Sequence, residues 1–561
     1  MVARPEPESA EEPVRSALSP FQYPIFRNVW LASTVSNLGG LIQSVGASWM
    51  MISLSQPADM VALVQASVTL PTMLFSLLAG AMADSFDRRK ILLSAQCFML
   101  LMSITLSVFA WSGLLSPWLL LFFTFSIGCG SAMNAPAWQA SVGDMVPRAE
   151  LPGAVSLNSM SFNMARSVGP AIGGAIVATA GAAAAFTINA FSYTAMIGVL
   201  ARWKREKPAQ VLPPETLGMA IQAGVRYVAM SPALHAVMGR AALFGIGASA
   251  VTALMPLVAK HLVAGGPLTY GLLLGAFGVG AVGGALVTAR LRQLWSTEAI
   301  VRLAAGSFAV AAFTVAMSTY LAVTMLALCV AGAGWVLALS TFNVAVQMST
   351  PRWVVARALS LYQMAAFGGL AGGAWMWGVI AEAHGVQTSL TIASFVTLGS
   401  ALIGLWWRLS QAEELNLDPL RQWRAPETAV PVEARTGPIV VTVEYTIRQE
   451  DVLEFLAAMA ERRRIRRRDG ALAWTLLRDL ADPQIWVERY ETATWLDYIR
   501  HNNRLTQEDA VIPERIRALH RGTEGPRVRR MIERQTAGLP AGRDPGAREL
   551  AQPLTDPTPS S

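Results

Sequence analysis

Long apolar runs separated by short polar turns carry the chain as far as about Trp407, and a different period takes over beyond Pro438. The runs fall at about 29–52, 61–83, 91–111, 117–139, 154–179, 182–201, 237–259, 269–289, 300–318, 320–346, 359–382 and 388–407. Each is close to the roughly 20 apolar residues that a helix needs to cross the hydrocarbon layer. Twelve such spans, an even count, put both ends of the membrane body on one side.

Positive charge says which side. Arg88, Arg89 and Lys90, then Arg148, then Arg202, Lys204, Arg205 and Lys207 fall in alternate turns, followed by Arg290, Arg292 and Arg302, by Arg352 and Arg357, and by Arg408. The intervening turns offer Lys260. Lys and Arg stay on the cytoplasmic side, so the expectation is a multi-pass protein of the cell (plasma or inner) membrane with both termini cytoplasmic.

A Pro-rich polar segment from about Arg202 to His235 divides the spans six and six, with a short amphipathic stretch at Leu217–Tyr227. Sliding the first half by about 204 positions aligns Pro147 and Arg148 with Pro351 and Arg352, and Gly169, Gly174 and Gly181 with Gly373, Gly378 and Gly385. Thr187, Ile188 and Phe191 fall on Thr391, Ile392 and Phe395. Two parallel six-helix repeats are the build of a rocker-type transporter, with substrate held between the halves near the midplane.

In residues 439–447, Ile439, Val441, Val443, Tyr445 and Ile447 alternate with polar positions, which predicts a half-buried strand. Helices are expected at 450–468, 495–503 and 513–520, and strands at 472–480, 484–492 and 527–532. The resulting β-α-β-β-α-β order is that of a ferredoxin-like α+β unit. The expected organisation is a cytoplasmic tail at 1–27, disordered, helical bundles at 28–205 and 236–410, linkers at 206–235 and 411–437, a soluble unit at 438–533, and a disordered tail at 534–561.

Composition agrees with this division. The 561 residues are 53% hydrophobic and 14% charged, far below the roughly one-quarter charged share of soluble domains. The net charge of +7 follows from the topology and implies no nucleic acid. Cys97, Cys129 and Cys329 lie in apolar runs without metal-ligand spacing, and read as buried small hydrophobes. The pattern implies no metal and no cofactor. Trp203, Trp406 and Trp407 read as interfacial anchors.

The turn GAMADSFDRRK, residues 80–90, offers Gly80 for close helix approach, Asp84 as a cap for a facing helix, and Arg88 and Arg89 for pairing across the two halves. Together they form a candidate cytoplasmic gate. The second half keeps Gly284 and Arg292 but carries Thr288 in place of Asp84. Arg166 falls near the middle of the fifth run, where a charge is expensive, on one face with Ser159 and Asn163; it reads either as a cavity-lining cation for an anionic group or as a structural arginine satisfied by backbone carbonyls. Gly169, Pro170, Gly173 and Gly174 follow as a close-contact and kink motif. Further polar groups at membrane depth are candidate pathway lining: Asn37, Gln43, Gln65, Asn134, Asn158, Asn163, Asn343, Gln347, Tyr362 and Gln363. A carboxylate at the midplane would serve proton coupling, but Asp59, Asp144 and Glu382 lie near span ends.

These motifs resemble the major facilitator superfamily. The 80–90 turn is similar to its signature loop, with Asp87 where most members carry Gly, and RSVGPAIGGAIVATAG, residues 166–181, is similar to the antiporter motif of its exporters. With SNLGGLIQ, the stretch VPRAELPGAVSLNSMSFNMAR and the tail's RRRDGALAW, the chain looks like the transmembrane secretion effector family, to which enterobactin exporters are similar. The resemblance implies export of a siderophore, drug or similar medium-sized organic molecule by alternating access, with protons as a coupling ion. The tail resembles the dimeric α/β barrels of the antibiotic-biosynthesis monooxygenase type, which implies homodimerisation. Haem-degrading relatives of that type use an Asn, a Trp and a His; Trp474, Trp486 and His501 are present, but the first strand lacks the Asn. The basic run 462–468 reads as a solvated helix end. The alternative is a membrane-anchored sensor or monooxygenase-like module in which the tail is the active part.

Overall fold

The computed structural model describes residues 18–147, 150–203, 217–351, 353–409, 417, 420 and 426–533. The expected terminal tails before 18 and after 533, most of the two linkers, and Arg148 and Arg352 lie outside the described residues.

The first half contains α1 (Pro24–Ser53), α2 (Ala58–Ser85), α3 (Arg88–Trp111), α4 (Pro117–Ser141) and α5 (Leu151–Arg202). The short α6 (Leu217–Ala229) matches the amphipathic stretch expected in the middle segment. The second half contains α7 (Pro232–Leu257), α8 (Pro267–Leu294), α9 (Thr297–Met317), α10 (Leu321–Met348), α11 (Val355–His384) and α12 (Val386–Ile403). Proline opens α1, α4, α7 and α8, where its missing N–H would have no intrahelical partner. Asp87 caps α3 by accepting from Arg89 N at 3.0 Å. Its extended backbone, φ −64° and ψ 110°, needs no glycine, so the departure from the superfamily pattern is accommodated by a cap.

The 52 residues of α5 are not one rod, because Gly181 has φ 82° and ψ 168° and turns the chain there. Its repeat mate Gly385 has φ 88° and ψ 156° between α11 and α12. A side chain is strained at such positive φ, which explains why glycine stands at both places. Ten helices among the described residues are long and apolar enough to cross a membrane. One of these is the broken stretch Gly153–Arg202, while α1, thinned in apolar content by Asn37, Gln43 and several serines, is not among the ten.

Packing follows the repeat. In the first half α1 lies against α5, and α4 against α2 and α3; in the second half α7 lies against α11, and α10 against α8 and α9. Two seams join the halves, α2 with α11 and α5 with α8. Under the 204-residue register these seams are copies of each other.

The tail forms β1 (Ile439–Thr446), α13 (Val452–Asp469), β2 (Leu472–Arg478), β3 (Ile485–Thr492), α14 (Trp495–Asn503), α15 (Gln507–Leu519) and β4 (Arg527–Ile532). The strand order is β2-β3-β1-β4, and all three pairings are antiparallel. One face of the sheet is covered by the helices around Phe455, Tyr490 and Ile516.

Three side-chain expectations are corrected. Trp203 is buried, only 4% exposed, packed with Leu200 and Ile91 rather than anchored at an interface. Cys97 is exposed, which in a membrane body means a lipid-facing position. The basic run of α13 is not all solvated: Arg466 and Arg468 are buried, and Arg462 meets the buried Glu488 at 2.8 Å.

Candidate functional site

Between the halves lies a cavity of about 470 Å3, bounded by α1 to α5 on one side and by α7 and α8 on the other. The long apolar helices cannot leave polar side chains in lipid, so the amides and hydroxyls of the first half turn inward. Asn37, Gln43, Gln65, Asn134, Arg166 and Pro170 all line it. Asn158, Asn163, Asn343, Gln347, Tyr362 and Gln363 are not among its lining residues. The reasons are local: Asn163 Nδ2 donates to Ser159 O of its own helix at 2.8 Å, Gln347 donates to Asn343, and Tyr362 OH donates to Leu339 O at 3.2 Å. These bonds hold Asn163, Gln347, Asn343 and Tyr362 to neighbouring helix groups away from the cavity.

Arg166 is the charged side chain among the described lining residues. Its guanidinium lies over the Phe277 ring of α8, 5.6 Å from the centroid, and no carboxylate among the described residues pairs with it. A cation held against an aromatic face in a site of low dielectric, with its fork otherwise unused, is an acceptor for an anionic group.

Sequence reasoning missed part of the wall. Asn189 donates to Gln43 Oε1 and to Tyr193 OH, the latter at 3.1 Å, while Ser103 Oγ donates to the same Gln43 oxygen. Gln96 Nε2 donates to Asn134 Oδ1 at 3.2 Å. Asn189 and Gln96 interrupt apolar runs just as Gln43 does, so the signal was the same. Asn37 and Gln65 have no side-chain partner among the described residues, and remain available to a solute.

The helix-five motif builds the seams around this cavity. Gly169 and Gly173 face Leu41 and Ile42 of α1, whereas Gly174 meets α8: a Cβ placed there would stand 2.9 Å from Gly271 Cα. Two backbones touch there without side chains between them. At the other seam, Gly80 faces Ser360 Oγ of α11, and Ser76 Oγ donates to Ser360 O at 3.1 Å. Far along the same pair of helices, Glu382 Oε2 accepts from Ala58 N at 2.7 Å and so caps α2 from the opposite half.

Among the described contacts, Arg88 and Arg89 find partners within their own half. Arg88 meets Asp144 at 3.2 Å, and Arg89 donates to Leu200 O and Ala201 O at 2.9 and 2.7 Å. These bonds tie α3 to the ends of α4 and α5 within the first half, because the turn packs under its own bundle. Asp84 is on the helical backbone of α2, and its side chain lies outside the described residues.

A buried acid that sequence reasoning overlooked lies in the second half. Glu298 at the start of α9 pairs with Arg240 of α7 at 2.5 Å and accepts from Leu409 N at 3.1 Å. It clasps α7, α9 and the segment after α12.

In the tail, His501 Nε2 is 2.9 Å from Arg466 Nη1, and Trp474 Nε1 donates to Glu488 Oε1 at 3.0 Å. Burial, then Arg466, pushes the His501 imidazole well below its ordinary value. Both residues serve a buried ionic network and do not converge on an open reaction site.

Comparison with known proteins places the chain among membrane transport proteins. The family profile described as transmembrane secretion effector matches residues 15–537. The staphyloferrin A transporter of Staphylococcus aureus is 30% identical over 28% of this chain and 40% of its own length. The multidrug efflux pump Tap of Mycobacterium tuberculosis is 25% identical over 36% of this chain and 50% of its own. The chain thus spans half or less of these two relatives. The enterobactin exporter EntS of Salmonella typhimurium is 27% identical over 68% of this chain and 91% of its own length. Among solved structures, the nucleoside transporter NupG superposes with a TM-score of 0.57 at 12% identity, covering 68% of this chain and all of that one. A bacterial homolog of the human lysosomal transporter Spinster, inward-facing and unoccupied, gives 0.54 at 13% identity over 69% and 95% of the two chains.

Proposed function

The chain belongs to the transmembrane secretion effector family, and on that premise we propose that it is a secondary transporter exporting a medium-sized anionic organic molecule, such as a siderophore or an acidic drug. The observation that carries this reading is the cavity between the halves with Arg166 as its charged lining group. On this reading twelve spans, counting α1 and both arms of α5, form halves at 28–205 and 236–410 that rock about the α2–α11 and α5–α8 seams. Both termini are cytoplasmic, by the distribution of Lys and Arg.

Export, rather than uptake, is drawn from the enterobactin exporter and the multidrug efflux pump among the relatives. Proton coupling is part of the reading, with Glu382, which caps α2 across the α2–α11 seam, as the acid placed on a contact between the halves. The gate centres on Gly80 and Asp84: Asp84→Asn is expected to slow transport at unchanged membrane abundance, and transport at the wild-type rate would remove the gate. The tail, 438–533, is taken as a ferredoxin-like unit that senses or dimerises without catalysing a reaction.

The test is accumulation of a panel of siderophores and drugs in cells with and without the chain. A retained anionic compound in cells lacking the chain supports the proposal, whereas no change for any compound contradicts it. Deleting residues after Ser410 separates this from a tail-centred function. Efflux is expected to survive the deletion, and its complete loss with normal insertion would favour the tail as the active part.

A further inference from the structure

The tail encloses a second cavity, of about 400 Å3, between the helix-covered face of its sheet and the helices α13, α14 and α15. That volume is within the usual range of small-molecule sites. Leu420, whose N–H donates to Leu505 O at 2.9 Å, brings the linker back across its rim. Most of the wall is apolar, contributed by Val441, Val443, Ile465 and Ile516.

The charged part of the wall is mainly positive, with Arg462, Arg466, Arg517 and Arg530 against Asp509. Arg462 and Arg466 share the single carboxylate of Glu488, at 2.8 and 3.3 Å, so this buried group of three retains one positive charge. Asp509 also reaches the cavity wall; it shares Arg468 with the buried Asp469, at 2.7 and 2.9 Å, so its countercharge is divided between two acids. Arg530 Nε donates to Tyr498 OH at 2.7 Å, and no acid among the described residues pairs with it. Two aromatic faces stand beside these cations: Tyr490, with the Arg466 guanidinium 4.4 Å from its centroid, and Tyr498. Arg530 stands at the exposed rim of the cavity, where its fork can meet an anionic group that a neutral hydrocarbon lacks.

We propose that this cavity binds a small organic carboxylate with a flat apolar body, its carboxylate on Arg530 and its body against Tyr490 and Tyr498. The site is separate from the membrane cavity, and its existence does not depend on what the membrane body carries. Because Asp509 is shared between the cavity wall and Arg468, and Arg468 stacks on Tyr227 of α6 at 5.2 Å, an occupant touches a residue that also holds the tail to the membrane body.

The experiment is calorimetric titration of the full chain in lipid nanodiscs with 2-naphthoate, with neutral 2-naphthamide, and with inorganic phosphate. Naphthoate is expected to bind at least about tenfold more tightly than the amide, the usual worth of one charge-assisted hydrogen-bonded pair. Phosphate, lacking the apolar body, is expected to bind more weakly than naphthoate. Arg530→Gln is expected to weaken naphthoate about tenfold, while Arg529→Gln, at the neighbouring position of β4 and outside the cavity lining, leaves it unchanged. Tyr498→Phe, which removes the hydroxyl that seats Arg530 but keeps the ring, gives a second, smaller loss. Equal binding of naphthoate and the amide, or no heat from naphthoate up to about 5 mM, overturns the proposal. So does binding that is lost in Arg166→Gln and kept in Arg530→Gln. Because the readout is binding, a failure to find transport leaves it standing.

Discussion

Arg166 is placed where an arginine costs roughly 3 kcal/mol on insertion scales, and its visible return inside the protein is one contact with the Phe277 ring. The cost makes sense if the missing partner is the cargo. Arg166→Gln is therefore expected to reduce efflux of an anionic substrate by at least about tenfold, one charged hydrogen bond's worth, while protein abundance holds. Arg166→Lys keeps charge but loses the fork and gives an intermediate rate. Measured efflux that is equal in all three proteins would remove Arg166 from the binding site. In the tail, burial alone would raise Glu488, but Arg462 and Arg466 and their hydrogen bonds outweigh it and hold the carboxyl at about 2. Its folded value lies below its unfolded one, so its stabilisation, about 3 kcal/mol, is complete above about pH 4.5 and fades toward pH 2. His501, kept neutral by burial, adds loss of stability in the same direction below about pH 6.5, where the unfolded chain takes up the proton first. Hydrogen exchange of tail amides against pH checks this: protection is expected to fall on acidification, and Glu488→Gln flattens the lower limb.

At the scale of elements, two seams join the halves, α2 with α11 and α5 with α8. Glycine lets α5 and α8 touch at Gly174 and Gly271, and Glu382 of α11 caps α2 at Ala58. A carboxylate on a helix N-terminus is worth about 1 kcal/mol, so its loss shifts a two-state equilibrium several-fold. Glu382→Gln is expected to increase labelling of a cysteine placed at Ser48 by a membrane-impermeant reagent added outside; unchanged labelling would mean that the cap does not hold the seam. Much of this level could be read from the sequence. Helix positions followed from apolar length, and the repeat register aligned Gly181 with Gly385, whose backbone angles match. Side-chain direction could not be read that way. Asn134 and Asn343 look alike in an apolar run, yet the first lines the cavity and the second takes its bond from Gln347. The difference is set by which face of each helix its neighbours cover, information that no single helix contains.

On the scale of the whole molecule, the tail is not a loose appendage. Arg464 donates to Met230 O at 3.4 Å, Arg504 lies 4.1 Å from the Trp353 ring centroid, and Trp353 meets Tyr227 edge-on at 5.6 Å. The tail thus rests on α6 and on the turn between α10 and α11. The basic run that read as a solvated helix end is the docking element, a role invisible without knowing what α13 faces. Trp353→Ala is expected to raise tail exchange and protease sensitivity while the tail fold persists; an unchanged pattern would mean that the contact bears no load. The central claim, however, concerns the cavity between the halves. It is tested most directly by counterflow of a radiolabelled carboxylate siderophore into proteoliposomes holding wild-type or Arg166→Gln protein at equal density. The account predicts exchange in the first and at most about a tenth of it in the second. Equal exchange in both, or none in the wild type for any anionic compound, contradicts it.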